Sequence, residues 1–190
     1  MNVESLFSVP IGYTFLEDID IDELIEYGQE KLRPDIFSGS QSSPIWNFDE
    51  EPLKTLAERV TEEVNKVHRE CGFRYSQKIR NIWFNEGHAR AICKPHTHPQ
   101  SFFVAIFYLS NPKNDSGNLT LLNPNNSNDH LIPQTIIEEY NSYNRSTTII
   151  PTAEKLLLVH PAWITHWVSQ EAPEEDRKSI AFNFVLDIPN

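Results

Sequence analysis

After residue 72 the sequence consists of short apolar or alternating runs, and this pattern constrains the fold more than any other feature. The runs lie at about 74–85, 102–109, 118–122, 147–150, 155–160 and 177–186, separated by Asn, Pro, Gly and Ser. Short runs bounded by turn-forming residues are typical of β-strands. Many such strands favour a jelly roll over alternating strands and helices. We therefore predict a mainly β protein with N-terminal helices, folded as a double-stranded β-helix (jelly roll, cupin-like).

Two helices are predicted before these strands. The first begins at the capping residue Asp20 and ends before Pro34. The second has Asp49 as its cap and ends near Gly72. Its apolar residues recur at helical spacing, at Leu53, Leu56, Ala57, Val60, Val64 and Val67. A short edge strand interrupted by a proline is predicted at residues 6–13.

The length and composition of the chain indicate one domain. Its 190 residues, 39% of them hydrophobic, are enough for one core and few for two. Within this single domain, 1–190, we assign an N-terminal strand and helical support to 1–72 and the jelly-roll core to 73–190. The stretch at about 123–144 begins with an Asn-rich run and is too long for a hairpin loop, so we predict a lid or an insertion there.

The charge of the chain argues against nucleic acid and membrane surfaces as partners. The formal net charge is −11, the sequence pI is near 5.0, and no basic run could follow a phosphate backbone. The sequence has neither a secretory leader pattern nor the roughly 20 apolar residues that cross a bilayer. The cysteines, Cys71 and Cys93, are too few for a disulfide scaffold. We predict a cytoplasmic protein, and the sequence does not indicate an oligomeric state.

Three histidines have the arrangement expected of a metal site. His96 and His98 lie at positions i and i+2 of an extended segment, so their side chains point to the same side. His166 follows the apolar run at 156–159, which is typical of a buried strand that ends at a site. Two ligands from one strand and a third from a distant strand leave coordination positions open, an arrangement suited to non-heme Fe(II) and oxygen chemistry. The alternative is a loop with two surface histidines and a purely structural His166.

The last strand-like run carries polar residues on one face. Ile180, Phe182 and Phe184 are expected in the core, whereas the opposite face carries Arg177, Ser179, Ala181 and Asn183. An arginine inside a barrel indicates an anionic ligand, because its guanidinium binds a carboxylate through two hydrogen bonds, to which the Ser179 hydroxyl can add a third. Tyr108, on an earlier strand, offers a phenol that can reach the same carboxylate. The alternatives are a surface ion pair for Arg177 and simple core packing for Tyr108.

Taken together, these residues resemble the Fe(II)- and 2-oxoglutarate-dependent oxygenases, and among them the small bacterial and phage oxygenases that carry a Pro-His-x-His-Pro motif. The similarity extends over about 81–184. Its segments are Trp-Phe-Asn-Glu-Gly at 83–87, Pro-His-Thr-His-Pro at 95–99, Phe-Tyr-Leu-Ser-Asn at 107–111, Ser-Gly-Asn-Leu at 116–119, Leu-Leu-Leu-Val at 156–159, and His166 followed by Arg177 eleven residues later. The ordered set is specific, although each piece alone is weak.

The resemblance implies a role for each residue singled out above. Iron would be bound by His96, His98 and His166, with His98 at the position where most of the superfamily has Asp or Glu. The distal carboxylate of 2-oxoglutarate would be bound by Arg177, with Tyr108 as a second contact and Ser179 as a weaker one. An imidazole in place of a carboxylate raises the charge of the metal site by one unit. Two alternatives therefore stay open: His98 lies beside the metal rather than on it, or the site is a three-histidine centre like those of cupins and thiol dioxygenases.

The implied activity is that of a dioxygenase. Such an enzyme couples the oxidative decarboxylation of 2-oxoglutarate by dioxygen to the oxidation of a primary substrate, and the oxidation expected here is a hydroxylation. The sequence does not identify this substrate, which is a small molecule or a protein side chain; a nucleic-acid base is disfavoured because the chain lacks a basic track. The alternatives are a three-histidine cupin-type metalloenzyme that does not use 2-oxoglutarate and a non-catalytic jelly-roll binding module.

Overall fold

Two antiparallel β-sheets enclose a common interior, and two helices cover the outer face of the larger sheet. The computed structural model describes residues 1–3, 6–35, 39–88, 91–110, 117–125, 133–169 and 176–189. The helices are α1 (Ile21–Gln29) and α2 (Leu53–Glu70). The strands are β1 (Gly12–Phe15), β2 (Leu32–Asp35), β3 (Gly39–Ser42), β4 (Ser76–Gly87), β5 (Cys93–His96), β6 (Phe103–Tyr108), β7 (Leu119–Leu122), β8 (Thr147–Ile150), β9 (Leu156–Pro161), β10 (His166–Val168) and β11 (Arg177–Asp187).

The strand order is that of a jelly roll, as predicted. The larger sheet has the order β1-β9-β6-β11-β4-β3-β2, and the smaller sheet has the order β5-β10-β7-β8. Every pairing between named strands is antiparallel. Strand β11 lies at the centre of the larger sheet, between β4 and β6, so its polar face is held between two long neighbours.

The larger sheet has an apolar core on each face. The outer core joins the helices to the sheet and includes Leu24, Leu56, Val60, Ile180, Phe182 and Phe184. The last three are fully buried, which confirms the predicted apolar face of β11. The inner core lies between the sheets and includes Val104, Ile106, Leu119, Leu121 and Leu158. Burial of each such side chain stabilises the fold by about 1.5–3 kcal/mol, so both cores fix the inner face that carries the candidate site.

Helix α1 begins as predicted and ends earlier than predicted. The Asp20 carboxylate accepts a hydrogen bond from the Asp22 backbone N–H at 3.0 Å, which caps the helix. The helix ends at Gln29, and Pro34 lies in the edge strand β2 rather than at the helix end. A proline is tolerated there because an edge strand has backbone groups that need no partner in the sheet. Gly28 lets the helix pack closely, since a Cβ at this position would lie 2.4 Å from the Phe84 ring.

Helix α2 has the predicted buried face but not the predicted cap. Its predicted apolar residues are buried, apart from the partly buried Val67. The prediction that Asp49 caps the helix is wrong, because the helix begins at Leu53 and the residue at the cap position is Pro52, which makes no side-chain cap. Instead, the Glu51 carboxylate accepts from the Thr55 backbone N–H at 3.3 Å. The helix ends just before Gly72, whose φ of +76° suits the reversal of the chain.

Two regions differ from the sequence prediction or lie partly beyond it. The polar strands β2 and β3 were not predicted, and the predicted edge strand at 6–13 overlaps the observed strand β1 only at residues 12 and 13. Of the predicted lid at about 123–144, residues 126–132 lie outside the described part of the chain, and a lid function there stays a prediction. Neither described helix is long and apolar enough to cross a bilayer.

Candidate functional site

Three histidines converge at the inner face of the smaller sheet. His96 is the last residue of β5 and pairs with His166, the first residue of β10. One nitrogen from each of His96, His98 and His166 lies within 4.8 Å of the others, and the Nε2 atoms of His98 and His166 are 3.2 Å apart. The prediction that His96 and His98 lie on one extended segment is only partly correct, because β5 ends at His96. The backbone N–H of His98 donates to Ala162 O at 2.9 Å, which holds it beside the strand.

Backbone carbonyls orient two of the three imidazoles. His96 Nδ1 donates to Lys94 O at 2.8 Å, and His166 Nδ1 donates to Ile164 O at 3.0 Å. A proton on Nδ1 leaves the Nε2 lone pair of each ring free to bind a metal. The His98 ring instead stacks on Trp83, with ring centroids 5.7 Å apart and planes inclined by 14°. The three rings therefore suit a divalent metal that accepts nitrogen ligands.

Burial and mutual repulsion keep two of these imidazoles neutral. Burial first, and then the neighbouring His166 and His96, lower the pKa of His98 to about 3. The Asn183 side chain opposes this change. Burial also lowers the pKa of His166 to about 4, and the Ile164 carbonyl opposes this effect. By contrast, a contact with the Cys93 thiol, 3.7 Å from His96 Nδ1, raises the pKa of His96. Since neutral imidazole is the form that binds metals, His98 and His166 need little deprotonation at neutral pH.

A fourth histidine lies behind this group. His160 is fully buried, its Nδ1 donates to Pro161 O at 3.0 Å, and its ring centroid is 4.5 Å from that of His166. Burial, and next the neighbouring His166, lower its pKa to about 3.

These buried histidines should make the stability of the protein without added metal depend on pH. The folded-state pKa values of His160 and His166 lie below the unfolded value of about 6.5, so below that pH the unfolded chain binds more protons. Stability is therefore fully present above about pH 6.5 and is lost as the pH falls towards the folded values. From pH 7 to pH 5 we expect a loss on the order of 1–2 kcal/mol for each of the two.

The check is urea unfolding at both pH values, for the wild type and for His160→Leu. The variant should lose less stability between pH 7 and pH 5, because one buried imidazole is gone. An equal loss in both proteins would contradict the assigned burial of His160 in its neutral form.

All six residues singled out in the sequence line one cavity of about 530 Å³ between the sheets: His96, His98, Tyr108, His166, Arg177 and Ser179. This volume is typical of a small-ligand site. Arg177 is only 5% exposed, and its Nη1 donates to Ser179 Oγ at 2.8 Å. Ser179 pairs with Tyr108 of β6, so both side chains lie on the cavity face. The cavity thus combines a metal-ligating group with a buried guanidinium, phenol and hydroxyl.

The sequence analysis missed several residues that shape the cavity. Trp83 and Asn85 were noted only as part of the motif at 83–87, although Trp83 stacks on His98, and Gln41 was assigned no role. Gln41 Nε2 donates to Asn85 Oδ1 at 2.7 Å at the cavity wall. Asn85 and Trp83 lie two positions apart on β4, and this spacing could have placed both side chains on one face of the strand. Gln41 offered none, because its polar strand β3 has no apolar periodicity.

A jelly roll that brings a histidine triad and a buried arginine into one cavity could hold a metal ion and an anion in that cavity. The chain belongs to the family described as "Putative 2OG-Fe(II) oxygenase", whose model matches residues 81–183, more than half of its length. It is therefore an oxygenase, and the cofactors of this family are Fe(II) and 2-oxoglutarate. Membership confirms the resemblance predicted from the sequence, together with the predicted fold class and cofactors. No curated protein matches the chain.

Solved structures of similar fold have low sequence identity. A Pseudomonas putida prolyl-4-hydroxylase has 13% identity and a TM-score of 0.64, with 94% of each chain covered. The viral collagen prolyl hydroxylase of Paramecium bursaria Chlorella virus-1, in complex with 2-oxoglutarate, has 12% identity and a TM-score of 0.62, covering 95% of this chain and 97% of that one. HygX from Streptomyces hygroscopicus, with nickel and 2-oxoglutarate bound, has 10% identity and a TM-score of 0.59, covering 93% and 82%. At these identities the likeness shows the fold.

Proposed function

We propose that this protein is a 2-oxoglutarate-dependent hydroxylase in which His96, His98 and His166 bind Fe(II). In this proposal Arg177 binds the distal carboxylate of 2-oxoglutarate, with Tyr108 and Ser179 as further contacts. The observation that carries the proposal is the position of Arg177, which is buried and lines the same cavity as the three histidines. A guanidinium that lines the same cavity as the candidate metal ligands suits an anion of matching geometry, such as the carboxylate of a bound dicarboxylate.

The residues of the cavity would have different roles in the reaction. Bound iron and 2-oxoglutarate supply the oxidising chemistry, with dioxygen as the oxidant and succinate and carbon dioxide as products. The histidines hold the metal while leaving part of its coordination sphere open. The hydrogen bond from Arg177 Nη1 to Ser179 Oγ orients the guanidinium, and the buried apolar side chains of Val104 and Ile106 line the same cavity and would limit the entry of water.

The nature of the cavity wall supports a polar primary substrate. Gln41, Ser42 and Asn85 provide amide and hydroxyl groups beside the histidines, and Trp83 adds an aromatic wall. We propose a substrate that carries hydrogen-bonding groups, either a small molecule or a protein side chain. Several similar structures are prolyl hydroxylases, which makes a proline-containing peptide a reasonable first substrate to assay. The cytoplasmic location stays a prediction.

The cupin-type alternative, with three histidines and no 2-oxoglutarate, would give Arg177 no ligand. A non-catalytic binding module would not require three imidazole nitrogens within 4.8 Å of one another. The joint presence of the triad and the buried arginine therefore supports the oxygenase over either alternative.

The proposal predicts a slow conversion of 2-oxoglutarate to succinate in air, even without primary substrate, when Fe(II) and ascorbate are present. Ascorbate supplies the electrons that the missing substrate would have given. Succinate should form with the wild type and with His88→Ala, which removes a partly exposed histidine outside the cavity, and fall to background with His166→Ala. If the wild type binds iron but neither binds nor consumes 2-oxoglutarate, the cupin-type alternative takes the place of this proposal.

A further inference from the structure

A second cavity, of about 640 Å³, lies beside β1 and β8, which are edge strands of the larger and the smaller sheet. Its floor is apolar and buried, with Leu121, Leu158 and Ile164 each at most 4% exposed. Within the described part of the chain, no residue lines both this cavity and the first one, which contains the histidines. Since its volume is typical of a small-ligand site, the second cavity is a candidate binding site of its own.

Apolar side chains surround the mouth of the second cavity and are exposed to water. Leu6, Phe7, Tyr13 and Tyr143 line it and are between 51% and 93% exposed. Phe7 also has a φ of +59°, a left-handed conformation that a bulky residue rarely adopts. Strained residues of this kind are frequent at ligand clamps, and an exposed apolar patch often marks a binding site. The mouth therefore suits the apolar part of a ligand.

Arg145 adds a positive charge to this apolar cavity. Asn123 holds it in place, because Asn123 Nδ2 donates to Arg145 O at 2.9 Å and the Asn123 backbone N–H donates to Ser146 O at 2.8 Å. Among the described residues the guanidinium has one weak partner, Tyr140 O, which lies 3.4 Å from Nη2, and the buried Nε has none. Since a guanidinium stays charged and carries five N–H donors, Arg145 has donors left for an anion.

The charge and shape of the second cavity define the class of ligand. Arg145 is the only cationic side chain among the described residues that line it, which matches a singly charged group, and its planar guanidinium matches a carboxylate. We propose that the second cavity binds a small amphipathic carboxylate, with the carboxylate on Arg145 and the aliphatic or aromatic body on the floor formed by Leu121, Leu158 and Ile164. This inference goes beyond the proposed function and does not depend on it, because the two cavities share no described residue.

Octanoate and octanol are the probes for the test, titrated into the wild-type protein and followed by calorimetry and by ¹H–¹⁵N amide chemical shifts. We expect octanoate to bind at least about tenfold more tightly than octanol, because a hydrogen bond between charged groups is stronger than one to a neutral group. The amide signals of Leu121, Ile150 and Ile164 should shift on binding, whereas those of Ser179 and Ala181 in the first cavity should not.

Three variants locate the probe. Arg145→Gln removes the charge but keeps a polar side chain, so it should weaken octanoate about tenfold and leave octanol unchanged. Thr148→Trp places an indole in the cavity that Thr148 lines and should abolish the binding of both probes. Thr147→Trp is the matched control, since Thr147 precedes Thr148 on β8, is exposed and lies on the opposite face of the strand. It should bind both probes as the wild type does.

The outcomes that would overturn the inference do not require any variant to fold. They are the absence of octanoate binding to the wild type, equal affinities for octanoate and octanol, and displacement of octanoate by 2-oxoglutarate, which would place the probe in the first cavity. Unchanged octanoate affinity in a folded Arg145→Gln would overturn it as well. Each of these results leaves the proposed function intact. A protein that binds octanoate as expected but binds no Fe(II) would instead overturn the proposed function and support this inference.

Discussion

Arg177→Leu is expected to weaken the binding of 2-oxoglutarate by about 100- to 1,000-fold while leaving Fe(II) affinity unchanged. Loss of one partner from a buried, hydrogen-bonded charge pair costs about 3–4 kcal/mol, which corresponds to two or three orders of magnitude in affinity. Arg177 is buried beside Ser179 and Tyr108. In Arg177→Leu the distal carboxylate of 2-oxoglutarate would therefore face these two groups without a counter-charge. Calorimetric titration of 2-oxoglutarate into the anaerobic Fe(II) protein measures the loss.

Two further variants separate the charge from the geometry of Arg177. Arg177→Lys should recover only part of the affinity, because an ammonium group cannot bind a carboxylate in the bidentate manner of a guanidinium. Lys178→Leu is the matched control: Lys178 is the next residue, lies on the opposite face of β11 and pairs with Glu86 at 3.0 Å. It should change 2-oxoglutarate affinity less than about twofold, as expected of a partly exposed pair. Wild-type affinity in Arg177→Leu would exclude this arginine as the cosubstrate contact.

His166→Ala is expected to lower Fe(II) affinity by about 100-fold or more. In structural zinc sites about 10–16 kcal/mol of binding energy is shared among four ligands, so one ligand contributes on the order of 3 kcal/mol. His166 is central to the group, since it pairs with His96 across the strands and its Nε2 is 3.2 Å from that of His98. Competition with a chromophoric chelator under anaerobic conditions gives the affinity.

His88→Ala provides the comparison for His166→Ala, because it removes a histidine that is partly exposed and outside the cavity. Its Fe(II) affinity should equal that of the wild type. Equal affinities for all three proteins would mean that the metal binds elsewhere in the chain, and the triad would then be a structural cluster.

The elements that could be predicted from sequence are those whose own periodicity decides their structure. Helix α2 and strand β11 each have an apolar face, which packs in the outer core. In α2 the opposite face is exposed, whereas in β11 the opposite, polar face is buried at the cavity. The polar strand β3 could not be predicted, because it forms through pairing with β4 at Ser40 and Gln41 rather than through apolar alternation. The prediction that Asp49 caps helix α2 was wrong for a related reason, because a suitable residue type near a helix start does not determine where the first turn begins.

The candidate site could be predicted in part because its residues occur as local pairs. His96 with His98, and Arg177 with Ser179, each lie two positions apart, and the alternation of an extended chain then places them on one side. The way His98 is held could not be found this way, because His98 docks on Ala162 only after the chain leaves β5, a contact between distant segments.

The most direct test of the proposed site is an anaerobic titration of the apo-protein with Fe(II) and then with 2-oxoglutarate, followed by visible absorption. If the histidines and Arg177 act together as proposed, a metal-to-cosubstrate charge-transfer band should appear in the wild type only after both additions. The band should be absent in His166→Ala and should require far more 2-oxoglutarate in Arg177→Leu. Binding of iron by the wild type with no band and no measurable affinity for 2-oxoglutarate would contradict the proposed site.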